Sequence, residues 1–247
     1  MLAPIRPNDD EAVILRKIRI VAAYIEILLA QRLWNWHSIS YSTLQYAMFL
    51  VMREIRGRSA DDVAGLLTKR LNEQEETFDN PKFYMHKMNR YMVHRLLARM
   101  TDTLERGAGQ ASHFLDYINV AGDRRNPYEV EHIWADHPEQ HTDEFPHPAD
   151  FAEYRNRIGD LLLLPKRFNA SYRDIPYEKK HPHYFTQNLL AQSLHPRCYE
   201  HNPGFMQFVE KTGLPFQAHV QFKKKPTLTA VNNCTVSWLH TPGGRND

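Results

Sequence analysis

Glu131 and His132 stand side by side in the run Tyr128-Glu129-Val130-Glu131-His132-Ile133-Trp134. Asp160 comes after a long stretch, and Asn169 lies nine residues later (169 − 160). A hard divalent cation takes oxygen ligands. Glu131 and Asn169 are of the type to supply them, and Asp160 either joins them or serves as a turn residue. A histidine left unligated and neutral takes a proton from an attacking water. A cation on a phosphate and a histidine base together make phosphodiester hydrolysis possible. The plainer alternatives are a helix-capping Asn169, a surface Glu131 and a hydrogen-bonded strand histidine at position 132.

These residues must be positioned by a small unit of strands and helix. The alternation from Tyr128 to Trp134 predicts a half-buried strand, on which adjacent side chains point to opposite faces. Glu131 and His132 then reach different parts of one site. A loop rich in His, Pro and acids runs from Ala135 to about Pro148, followed by a short helical turn over 150–156. The apolar run Ile158 to Pro165 predicts a buried strand, with helices over 168–173 and 184–194. Loop residues His137, His141 and His147, with Asp136, Asp143 and Glu144, read as solvated rather than as a second metal site.

Upstream, Ile14, Ile18, Val21, Ile25, Leu28 and Leu29 recur at helical spacing between Glu11 and Trp36. Ser40 or Ser42 caps a second helix ending at Gly57, and Ser59 with Asp61 and Asp62 opens a third to about Leu71. Val93, Leu96, Leu97 and Met100 mark a fourth, ending near Gly107. The expected class is α+β and predominantly helical: a helical region over 1–120, a small strand–loop–strand–helix unit over 121–200, and a helical or irregular tail over 201–247. After Lys225 the sequence loses helical periodicity, and one reading is a shifted reading frame in place of a native helical end.

Composition bounds the rest. Hydrophobic residues are 42% and charged residues 24% of 247, which supports a packed core rather than a disordered chain. The net charge of +2 gives no global basic field. Cys198 and Cys234 cannot build a disulfide framework or a four-thiolate zinc site, so no structural zinc is expected. The longest apolar run, Val21 to Ala30, is short and contains Glu26, so no membrane span is expected. A reducing, cytoplasmic setting fits best.

Glu131-His132-Ile133, then Arg157-Ile158-Gly159-Asp160-Leu161-Leu162-Leu163-Leu164, then Asn169 resembles the HNH, or ββα-metal, nuclease motif. More narrowly, the set resembles the carboxy-terminal nuclease region of GmrSD-type restriction enzymes and of the related Ssp phosphorothioate-linked phage-defence proteins. Pro176-Tyr177-Glu178-Lys179-Lys180 is similar to the segment after the asparagine in that group. Trp34-Asn35-Trp36 and Met52-Arg53-Glu54-Ile55-Arg56-Gly57 are similar to its linking helical region. The resemblance runs over roughly 11–222.

The resemblance implies a metal-dependent DNA endonuclease, nicking or cutting double-stranded DNA in an antiviral restriction system. His132 would be the general base, with Glu131 and Asn169 holding Mg2+ or Mn2+. Asp160 stands where many members carry Asn, so it either adds a carboxylate to the site or leaves the loop to be tied otherwise. Lys166, Arg167, Arg173, Lys179 and Lys180 flank Asn169, where phosphates would lie. Residues 151–200 hold eight Lys or Arg against five acids, reversing the acidic balance of 121–150. Full-length relatives carry an amino-terminal NTPase domain, so the chain is expected to be a carboxy-terminal fragment whose partners are DNA and that sensor domain. The alternative is a catalytically silent DNA-binding or interdomain docking module.

Overall fold

The computed structural model describes residues 1–73, 78, 80, 83–172 and 174–224. The fold is α+β and mostly helical, and among the described residues it holds a single two-stranded antiparallel sheet. The chain divides into two compact units, one with residues up to 81 and a second starting at 82. The break therefore lies ahead of the one expected at residue 120. No helix among the described residues is long and apolar enough to cross a membrane.

In the first unit, α1 (Glu11–Trp34), α2 (Tyr41–Ile55) and α3 (Ala60–Asn72) begin where hydroxyl or carboxylate caps stand. Asp10 accepts from the Val13 N–H, and Ser59 from that of Asp62. Ser40 and Thr43 form a reciprocal box, satisfying donors that a helix start otherwise leaves bare. The apolar stripes meet in a cluster of Val21, Tyr24, Leu28, Val51, Ile55, Val63 and Leu67. Lys17 is buried within this unit, its ammonium 2.6 Å from Asp9 and 2.8 Å from the Pro4 carbonyl.

The second unit contains α4 (Arg90–Gly107), α5 (Phe114–Tyr117), β1 (Tyr128–His132), α6 (Pro148–Arg155), β2 (Leu161–Pro165), α7 (Lys166–Tyr172), α8 (Tyr177–Tyr184), α9 (Leu189–Gln192) and α10 (Pro203–Thr212). α4 belongs here because its apolar stripe, including Val93, Leu97 and Leu104, packs on β2, α9 and α10. Glu105 on α4 accepts from the Tyr117 hydroxyl at 2.7 Å and from the Leu189 N–H at 3.2 Å, tying α5 and α9 to that helix. Asn119 adopts φ 59°, a left-handed conformation that Asn tolerates better than most residues. Its amide pairs with both backbone groups of Tyr128, at 2.8 and 3.1 Å, and fixes where β1 begins.

β1 and β2 pair with Glu131 opposite Leu162 and His132 opposite Leu161. The strand expected from Ile158 starts only at Leu161, because Ile158–Asp160 forms a 3-10 turn. That turn closes on β1 through the Ile133 N–H and the Asp160 carbonyl, 2.9 Å apart. The helix expected over 184–194 is instead α8, a turn, and α9. Asn188 makes that break, its side chain accepting from the Ala191 N–H while donating to the Leu163 carbonyl at 2.5 Å. The 135–148 loop is not merely solvated: Phe145 is buried, and His141 stacks on Phe151 at 5.0 Å beside Trp134. The shifted frame suggested after residue 225 and Cys234 lie outside the described residues.

Candidate active site

Strand alternation puts Glu131 on the face of the hairpin covered by α8. The side chain is buried, with Oε1 2.6 Å from the Lys180 ammonium. The same ammonium donates to the His132 carbonyl at 3.0 Å. Burial raises the Glu131 carboxyl above its ordinary value, and the adjacent Lys180 charge pulls it back. Lys180 was expected among the phosphate-contacting cations, and that expectation is corrected: its side chain is 0% exposed and its charge is committed to Glu131.

His132, the last residue of β1, turns to the other face and is half-buried. Its Nε2 lies 3.0 Å from Asn156 Oδ1, and no hydrogen bond reaches Nδ1 among the described residues. Burial lowers its pKa to about 4, and Arg155 adds to the effect while Asn156 opposes it. The ring is therefore neutral at physiological pH. Arg155, at the end of α6, donates through Nε to the Trp134 carbonyl at 3.0 Å. Among the described residues its terminal nitrogens have no hydrogen-bond partner, and its charge bears on Glu131, His132 and Asp160.

Asn169, on α7, is buried. Its Nδ2 reaches the Glu129 carbonyl at 3.5 Å, and its Oδ1 has no hydrogen-bond partner among the described residues. Asp160 is 2% exposed, and neither carboxyl oxygen has a hydrogen-bond partner among them. The backbone N–H of Trp134 is close enough to relieve the charge in part without reaching hydrogen-bond geometry. Burial holds this carboxyl well above its ordinary value, against the pull of Arg155 and Lys180. No group of three or more His, Cys, Asp or Glu among the described residues is placed to hold a metal. The chemistry of the donors nonetheless suits a hard divalent cation, which takes oxygen ligands from carboxylates and amides and leaves the rest of its shell to water. Asn169 Oδ1 is an orphaned buried acceptor, and Glu131 retains the oxygen that Lys180 does not hold.

The raised Asp160 value has a consequence for stability. An unfolded Asp ionises near ~3.9, whereas the folded group stays protonated far above that, so the wild-type chain loses stability as pH rises between the two values. Asp160→Asn removes this penalty. The variant is expected to be more stable by about 1–3 kcal/mol at pH 8, with a smaller gap at pH 5, read by urea unfolding at both. An equal gap at the two pH values, or a destabilised variant, would mean that Asp160 is ionised and paired.

Of the remaining expected cations, Lys166, Arg167 and Lys179 are exposed, and Arg173 lies outside the described residues. Sequence reasoning missed Arg155 and Asn156, which it passed over as a charge and a helix end. It also missed the pairing of Lys180. A signal for that burial was available: Tyr177, Lys180, His181 and Tyr184 recur at helical spacing, and all four are buried.

The family model described as GmrSD restriction endonucleases, C-terminal domain, matches residues 47–202, more than half of the chain. The chain belongs to that family. No curated protein and no solved structure matches it. The match to the GmrSD C-terminal domain spans all of Glu131, His132, Asp160 and Asn169, together with Arg155, Asn156 and Lys180. Membership of this GmrSD family supports nuclease activity in general, with DNA as the substrate class.

Proposed function

We propose that this chain is an HNH-type endonuclease that hydrolyses phosphodiester bonds of double-stranded DNA with one divalent cation, Mg2+ or Mn2+. The observation that carries the reading is His132: neutral, at the end of a β-hairpin strand, with Nδ1 free of hydrogen bonds among the described residues, in the same unit as the buried oxygen donors Glu131 on β1 and Asn169 on α7. Nδ1 takes the proton of the attacking water as its oxygen bonds to phosphorus and the ester oxygen departs. Glu131 and Asn169 would hold the cation, which when bound neutralises charge on the phosphate and the leaving oxygen. Arg155 brings a second positive charge to the same place. Lys166, Arg167 and Lys179 give the duplex phosphate contacts that carry no sequence preference. The biological setting would be cytoplasmic restriction of phage or other foreign DNA, in the manner of the GmrSD and phosphorothioate-linked systems, with an NTPase sensor domain of the same longer protein as partner.

Supercoiled plasmid is expected to yield open-circle or linear product with Mg2+ or Mn2+ and none with EDTA. The Lys180 ammonium on Glu131 favours a second reading, a DNA-binding or docking module in which lysine stands in for the cation. Plasmid binding with no product under either metal would support that reading and overturn the first.

A further inference from the structure

Asn156 lies just past the last residue of α6, where helix carbonyls lack intrahelical donors. Its Nδ2 donates to the Ala152 carbonyl at 2.7 Å. A carbonyl only accepts, so this bond settles which way the amide faces and leaves Oδ1 as the atom 3.0 Å from His132 Nε2. An oxygen that only accepts requires the proton of the neutral imidazole to sit on Nε2, so the lone pair is on Nδ1. The backbone of Asn156 is held as well, its carbonyl accepting from the Met85 N–H at 2.7 Å. A capping role accounts for the bond to Ala152. It does not account for a second bond to a histidine 24 residues earlier in the chain.

We propose that Asn156 is the positioning residue of His132, fixing the ring's orientation and keeping its proton on Nε2 so that Nδ1 is the atom that accepts from water. The inference rests on the reading of His132 as the general base. Asn156 does not touch the reacting atoms. It acts through the ring, as partners that orient a functional imidazole do elsewhere.

The first test is nitrogen-15 NMR of the histidine-labelled full chain, with His132 assigned by its loss in His132→Ala. Wild type is expected to show a protonated Nε2 and an unprotonated Nδ1. A proton on Nδ1 would overturn the proposal whether or not the protein cuts DNA. The second test is plasmid cleavage by Asn156→Ala and Asn156→Asp. Asp keeps an acceptor for Nε2, and Ala does not. Asn156→Ala is expected to lose about 10–100-fold in kcat with KM unchanged, and Asn156→Asp to recover most of it. Wild-type kcat in Asn156→Ala, or equal losses in both variants, would sink the assignment. If Asn156→Ala does not fold, the wild-type tautomer and the Asp variant decide. If wild type cuts nothing, the nuclease reading falls and the catalytic part of the Asn156 role with it, and the wild-type spectrum alone decides whether Asn156 holds the His132 proton on Nε2.

Discussion

Lys180→Met is expected to destabilise the second unit by about 3–5 kcal/mol, the range seen when one partner of a buried ion pair is removed. The chain contains the conditions for a cost of that size. The Lys180 side chain is wholly buried and that of Glu131 is 6% exposed, with 2.6 Å between the charges. Without the ammonium, Glu131 keeps its place on β1 and faces an apolar cluster that includes Leu162, Tyr177 and Tyr184. Burial already raises its carboxyl, so loss of Lys180 drives it further toward the protonated form. The His132 carbonyl loses a donor in the same step. Urea unfolding at pH 7 measures the effect, and Glu131→Gln in the Lys180→Met background should restore a large part of it. A loss under 1 kcal/mol, typical of an exposed pair, would show that water reaches the pair and that Lys180 remains available to DNA.

This pair also marks where the sequence stops being legible. Elements set by neighbours a few residues away were readable: the cap at Ser40 or Ser42 and that at Ser59, the stripe of α1, the alternation of β1. The family resemblance was readable too, since Glu131, His132, Asp160 and Asn169 all lie within 40 residues of one another and their order carries a recognisable pattern. What could not be read was which distant side chain meets which. Lys180 reaches Glu131 across 49 positions and Asn156 reaches His132 across 24, and nothing local distinguishes these from other lysines and asparagines. Lys179 and Lys180 look alike as a basic pair. About 100° of helical rotation separates neighbouring residues, and it sends one to solvent and the other into the core. The break near residue 81 was hidden for a related reason. The stripe on α4 announces a buried face without naming what buries it, and its partners β2, α9 and α10 come later in the chain.

His132→Ala is expected to lower plasmid cleavage by about 10²–10⁴-fold, the contribution of a positioned general base, while DNA affinity and its salt dependence stay unchanged. The second half separates a base from a binding residue. His132 is neutral and carries no charge to phosphate, whereas loss of Lys166, Arg167 or Lys179 would flatten the salt dependence. A base held near pKa 4 in the free protein is weaker than one poised near neutrality. In the proposed complex a phosphate would offset the Arg155 charge and set a negative charge beside the ring, and both would raise its basicity. Stability carries an independent signature of the same group. Folding depresses His132, so below the ordinary value of ~6.5 the unfolded chain binds the extra proton, and stability falls as pH drops from there toward about 4. His132→Ala removes that part of the acid sensitivity and should leave stability at pH 8 to be set by the lost packing alone. Undiminished cleavage in a folded His132→Ala protein would take the base away from this residue, and with it the role assigned to Asn156.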